Sequence, residues 1–250
     1  MFFKKKISCP IPEWDKQWME DAFKWMIVEF GLDKIRSAKV LLPTKEDFIV
    51  NDILSEKTVY YFLEKIASQM FLEYDNIQIV FFEEPKNIVG EDSIQPIYLI
   101  SENNSAYAGG YYGKNEQGKY VISINKQQLN YPENIIATIA HELSHIILSD
   151  IHSVEEYDEY LTDLLIVFHG MGIFGANSAF NFFKNFNIWG YSKQGYLNEK
   201  EWTYALALFA SIRKESTPEW GMYLKKHISA DLTSSIKFIE NTQPENWYLL

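Results

Sequence analysis

The tightest constraint on this chain is a single helix. From Pro132 to Ser149 the residues follow one helical pattern, and inside it stands His141-Glu142-Leu143-Ser144-His145. Ile135, Ile136, Ile139, Ala140, Leu143, Ile146 and Ile147 make one apolar arc at 100° per residue. Pro132 suits the first helical position, and Glu133 complements the positive end of the helix dipole. His141 and His145 point away from the middle of the arc. Being four residues apart they share a helix face, so both imidazoles can reach one metal ion. Glu142 projects beside that face, where a carboxylate can polarise water at the metal. Composition alone, with 5 His in 250 residues, yields such a pattern only about 0.01 times per chain. The plain alternative is a solvated helix face carrying two histidines and a surface charge.

A zinc site of this kind needs a third protein ligand. A third histidine is not where the longer His-Glu-x-x-His-x-x-Gly-x-x-His pattern would put it: Leu148 takes the glycine position and Ile151 the histidine position. The next helix offers carboxylates instead. Ser153-Val154-Glu155-Glu156 reads as a capping box, so a helix starts there. Glu159 and Asp163 then lie four apart on one face. Glu159 can complete a His₂Glu set, and Asp163 can hydrogen-bond the free ring nitrogen of His141 or His145. Glu155, Glu156 and Asp158 compete for the ligand role, although the first two fall in the opening turn, where they serve the helix dipole.

His141-Glu142-x-x-His145 followed by Glu159-x-x-x-Asp163 resembles the gluzincin clan of zinc metallopeptidases, the thermolysin-like enzymes, over about residues 108–170. The His145-to-Glu159 spacing is shorter than in thermolysin and is more similar to compact intracellular members that cut repressors. The resemblance implies Zn2+ held by His141, His145 and Glu159, with Glu142 as general base and Asp163 behind a histidine. It implies a zincin-like core and a peptide or protein substrate pairing with an edge strand just before the motif helix. Here that strand would be Tyr120, Val121, Ile122, Ser123 and Ile124. Such enzymes also use Tyr or His side chains to stabilise an oxyanion. His152, Tyr157, His169, Tyr191 and His227 are available, and no spacing selects among them. A zinc-binding protein without turnover, acting through a partner, is the rival expectation.

The rest of the chain sets the frame. Its charge of −11 repels phosphate backbones, and Lys4-Lys5-Lys6 is too short a basic cluster to reverse that, so nucleic acid is not expected as a partner. One cysteine, Cys9, excludes an intrachain disulfide. The N-terminal residues lack a signal-peptide apolar run, and a cytoplasmic location is the expectation. Residues 164–183 carry no formal charge, yet His169, three glycines and two asparagines make membrane insertion unexpected; a buried helix, a glycine-rich turn and a second helix fit better.

Helices are expected over 14–30 and 56–72, and strands over 38–42, 77–82 and 97–100. A Gly/Tyr-rich hairpin should span 109–124, followed by helices at 132–149, 153–170, 177–186, 198–214, 217–228 and 230–241. Strands in the first half and helices in the second give an α+β class with a small mixed sheet and extra helices at both ends. No linker divides the chain, so residues 1–250 are read as one domain: an N-terminal part (1–107), a zinc-site core (108–170) and a C-terminal helical part (171–250).

Overall fold

The motif helix, α4 (Pro132–Ile151), has neighbours on several sides. The computed structural model describes residues 8–48, 54–83, 110–114, 118–151, 159–179 and 197–250. Within them α4 packs against strands β2 (Gly110–Lys114) and β3 (Tyr120–Asn125) and against helices α3 (Glu56–Gln69), α5 (Glu159–Phe168) and α6 (Gly172–Ser178). Its apolar arc is the reason. Ile135, Ile136, Ile139, Ala140 and Leu143 are all buried, so α4 is covered by other elements rather than lying on the surface.

The expected α+β class is what the chain adopts, with helices predominating. Helices α1 (Glu13–Phe30) and α2 (Leu32–Ser37) precede α3, and strand β1 (Ile77–Phe82) follows it. Gly31 between α1 and α2 takes a positive φ of 97°, which ends α1 where the sequence places its stop. After α6 come α7 (Glu199–Ile212) and α8 (Lys226–Thr242), which pack together. Arg213, just past α7, donates from Nη1 to the carbonyls of Ile35, Arg36 and Ala38 at 2.8–2.9 Å. It thereby satisfies the open carbonyls at the end of α2. Buried apolar residues from Ile11 to Tyr248 form one core cluster.

The sheet is small and mixed, as expected, with the order β1-β3-β2. β1 runs parallel to β3, with Ile79 beside Ile122; β2 runs antiparallel to it, with Tyr112 beside Ile122. This corrects the expected edge strand. Tyr120, Val121, Ile122, Ser123 and Ile124 lie in the central strand, hydrogen-bonded on both sides, so no further strand can add to them. Among the described residues the strand on the outside of the hairpin is β2.

Other expectations change for local reasons. Residues 38–42 are extended but form no ladder: Leu41 N–H donates to Gly170 O at 3.0 Å and Leu42 N–H to Asp47 Oδ2 at 2.9 Å. The helix expected from 177 begins instead at Gly172, after Gly170 has turned the chain with φ 79°. Gly175 lies inside α6 because a Cβ there would collide with the Trp202 ring of α7. The expected pair of helices over 217–228 and 230–241 is a 3-10 turn at Glu219–Tyr223 followed by α8, separated by extended backbone at Leu224 and Lys225.

The strand at 97–100, the capping box at 153–156 and the hairpin turn at 115–117 lie outside the described residues. No helix among the described residues is long and apolar enough to cross a membrane, and the uncharged stretch from Leu164 is broken at Gly170.

Candidate metal centre

Helices α4 and α5 pack side by side, which brings the three expected ligands together. His141 Nε2 lies 3.1 Å from Glu159 Oε2, His145 Nε2 lies 3.1 Å from the same oxygen, and the two Nε2 atoms are 3.2 Å apart. A tetrahedral zinc with arms of about 2.0–2.1 Å needs ligand atoms about 3.3–3.4 Å apart. The triangle is therefore the right size to within about 0.2 Å. Among the described residues, these three are the group of His, Cys, Asp or Glu side chains placed to hold an ion.

The proton inventory says more than the distances. His141 Nδ1 is 3.0 Å from Asp163 Oδ1. An ionised carboxylate only accepts, so Nδ1 carries the proton, and in a neutral His141 the Nε2 lone pair faces the triangle. His145 can put at most one ring proton into the same space. Two nitrogens and a carboxylate oxygen thus meet at 3.1–3.2 Å with too few protons to bridge every contact. A positive charge at its centre would balance the arrangement. In its absence His141 supplies one itself. Burial opposes its imidazolium, but the hydrogen bonds it donates to Asp163 and Glu159 outweigh that and raise its pKa to about 10. Burial likewise pushes the Glu159 carboxyl up, and the two histidines overcome it to bring it down to about 2.

Glu142 is 3% exposed. Burial raises its pKa, with the two histidines acting against the shift. Asp163 is buried too. The sequence left open which histidine it serves, and the structure pairs it with His141. Its second oxygen accepts the backbone N–H of Leu197 at 3.1 Å. Thr162 Oγ1 stands 3.5 Å from His145 Nδ1. Sequence reasoning missed both Thr162 and Leu197. Thr162 was findable, being three residues after Glu159 on the same face. The Leu197 contact is made by a main-chain amide, which no side-chain pattern announces.

Of the competing residues, Glu155, Glu156 and Asp158 lie outside the described residues, as do His152, Tyr157 and Tyr191. His227 pairs with Glu199 across α7 and α8. His169, another of the oxyanion candidates, lies in the core. It is buried against Phe30, Phe71 and Phe168, and burial, aided by the nearby Lys34 charge, lowers its pKa to about 3. Its ring is neutral, and its carbonyl accepts from Gln69 Nε2 at 2.9 Å.

No protein-family model matches the chain, and neither a curated protein nor a solved structure matches it.

Proposed function

We propose that this protein is a zinc-dependent hydrolase, a metallopeptidase of the gluzincin kind on a zincin-like core. The observation that carries the reading is the triangle of His141 Nε2, His145 Nε2 and Glu159 Oε2, sized for a tetrahedral ion and short of protons. In this reading those three side chains hold Zn2+. When bound, the ion supplies Lewis acidity, polarising a scissile carbonyl and acidifying water beside it. Glu142 takes the proton from the attacking water and passes it to the leaving amine. Asp163 accepts a hydrogen bond from His141 Nδ1–H, which fixes that ring's tautomer and aims Nε2 at the ion.

A peptide substrate would bind as an extended strand, a mode that needs an open sheet edge. β3 cannot offer one, so in this proposal the role passes to β2. The near-complete burial of Glu142 favours one rival, a zinc-binding protein that acts through a partner without turnover. The Glu142→Gln protein separates the two. It should keep about one zinc per chain and lose the peptide hydrolysis seen with wild type. Wild-type protein that carries zinc and cuts nothing in a broad peptide library supports the rival. Wild-type protein that takes up no zinc overturns both.

A further inference from the structure

A buried carboxylate, Asp163, meets the metal triangle from outside. Asp163 is 1% exposed and sends its two oxygens to distant parts of the chain. Oδ1 meets His141 Nδ1 on α4 at 3.0 Å; Oδ2 accepts the Leu197 N–H at 3.1 Å. A buried carboxylate held on one side alone can rotate about its terminal torsion, which is soft. The hydrogen bond at Oδ2 restrains the plane of the carboxylate and with it the ring of His141.

That amide is itself held. Leu197 is buried, and the next residue, Asn198, is the N-cap of α7. Asn198 Oδ1 accepts from Lys200 N at 3.0 Å and Glu201 N at 3.2 Å, while Glu201 Oε2 accepts from Asn198 N at 2.6 Å. This reciprocal capping box fixes the backbone at the position where the Leu197 N–H leaves it. The helix behind it does not move easily, since Trp202 and Tyr204–Ala210 are all buried.

We infer that the capping box of α7, Asn198 with Glu201, is a positioning device for His141, acting through the Leu197 amide and Asp163. The inference deepens the zinc-site reading and rests on it for its metal-affinity arm. A chain segment more than 50 residues beyond the motif in sequence then sets how tightly the motif binds its ion. Asn198 touches no ligand atom; it acts only by fixing where a backbone proton points.

The test compares caps of equal kind in different places. Ser55 caps α3, its hydroxyl accepting from Thr58 N, and has no hydrogen bond to Asp163. Full-length Asn198→Ala, Asn198→Asp and Ser55→Ala proteins are titrated with zinc against a chelator. In parallel, exchange of the His141 Nδ1 proton is followed by NMR in the zinc-free proteins. Asn198→Ala should weaken zinc binding roughly threefold to tenfold, less than the 10- to 100-fold expected for removing an outer partner outright. It should also speed exchange of the His141 proton. Asn198→Asp, which can still cap, should restore both. Ser55→Ala should lower the melting temperature comparably and change neither. Equal behaviour of Asn198→Ala and Ser55→Ala, or an unaltered His141 proton in Asn198→Ala, overturns the inference. Wild-type protein that binds no zinc overturns the zinc-site reading, and the exchange measurement still decides the positioning role.

Discussion

Glu20 on α1 and Glu159 on α5 both place a carboxylate among polar side chains from other parts of the chain. Around Glu20 the partners are donors. Its Oε1 accepts from Tyr204 Oη at 2.7 Å and Gln243 Nε2 at 2.6 Å, with Lys16 Nζ at 3.6 Å. Burial, then Glu20 itself, raises the Tyr204 phenol far above its usual range, so it stays a donor at any working pH. This cluster joins α1, α7 and the end of α8 and is complete as it stands. Around Glu159 the partners are ring nitrogens, and the contacts outnumber the protons. One carboxylate closes a hydrogen-bond network; the other leaves room for a charge. Short distances occur in both clusters, and the count of protons is what sets them apart.

The comparison can be broken at several points. The largest effect is expected at Glu142, whose replacement by Gln should cut peptide hydrolysis by about 10²- to 10⁴-fold while zinc content, measured by elemental analysis, stays unchanged. A variant as active as wild type would remove the general base. Tyr204→Phe takes one donor from Glu20 and should lower unfolding free energy by about 1.5–3 kcal/mol in urea titrations. Zinc affinity should not change, and a parallel loss of affinity would mean that the two clusters are not separate. Asp163→Asn should weaken zinc binding by about 10- to 100-fold in chelator competition, whereas Glu20→Gln should leave it alone.

The smallest effect concerns His169. Its folded pKa is lowered from 6.5 to about 3, so the unfolded chain takes up the proton first as pH falls. Stability from this residue is present above pH 6.5 and is lost below it. The loss is about 1 kcal/mol from pH 6.5 to about pH 5.5. Difference curves between wild type and His169→Gln isolate it; parallel curves would show that the ring is solvated.

Much of the site was legible in the sequence because its information is local. Four-residue spacing on α4 and again on α5 fixes which side chains share a face, and the apolar arc of α4 fixes which face is covered. Spacing does not say which ring Asp163 reaches, since that depends on how α5 is rotated against α4. Strand order was hidden for a similar reason. The β-branched and aromatic residues of Tyr120–Ile124 identify a strand, but its central place depends on β1, whose paired residues lie 43 positions earlier. Residues 38–42 have the apolar character of a strand. They bond to Gly170 and Asp47, and nothing in five residues distinguishes that from a ladder. Over 217–241 the sequence places a break at 229, whereas the chain breaks at Leu224–Lys225, and only backbone geometry reveals where.

The contact between Gly175 and Trp202 has a consequence for heredity. The indole occupies the space where a Cβ at position 175 would stand, so the two positions cannot vary independently. A descendant that gains alanine at 175 must first, or at once, shrink the residue at 202. Relatives of this chain too distant to align by eye that keep the indole at 202 should therefore keep the glycine at 175, whereas the glycine can also stand beside a smaller residue. That paired signature is separate from the histidine motif, which unrelated metal sites can reach on their own.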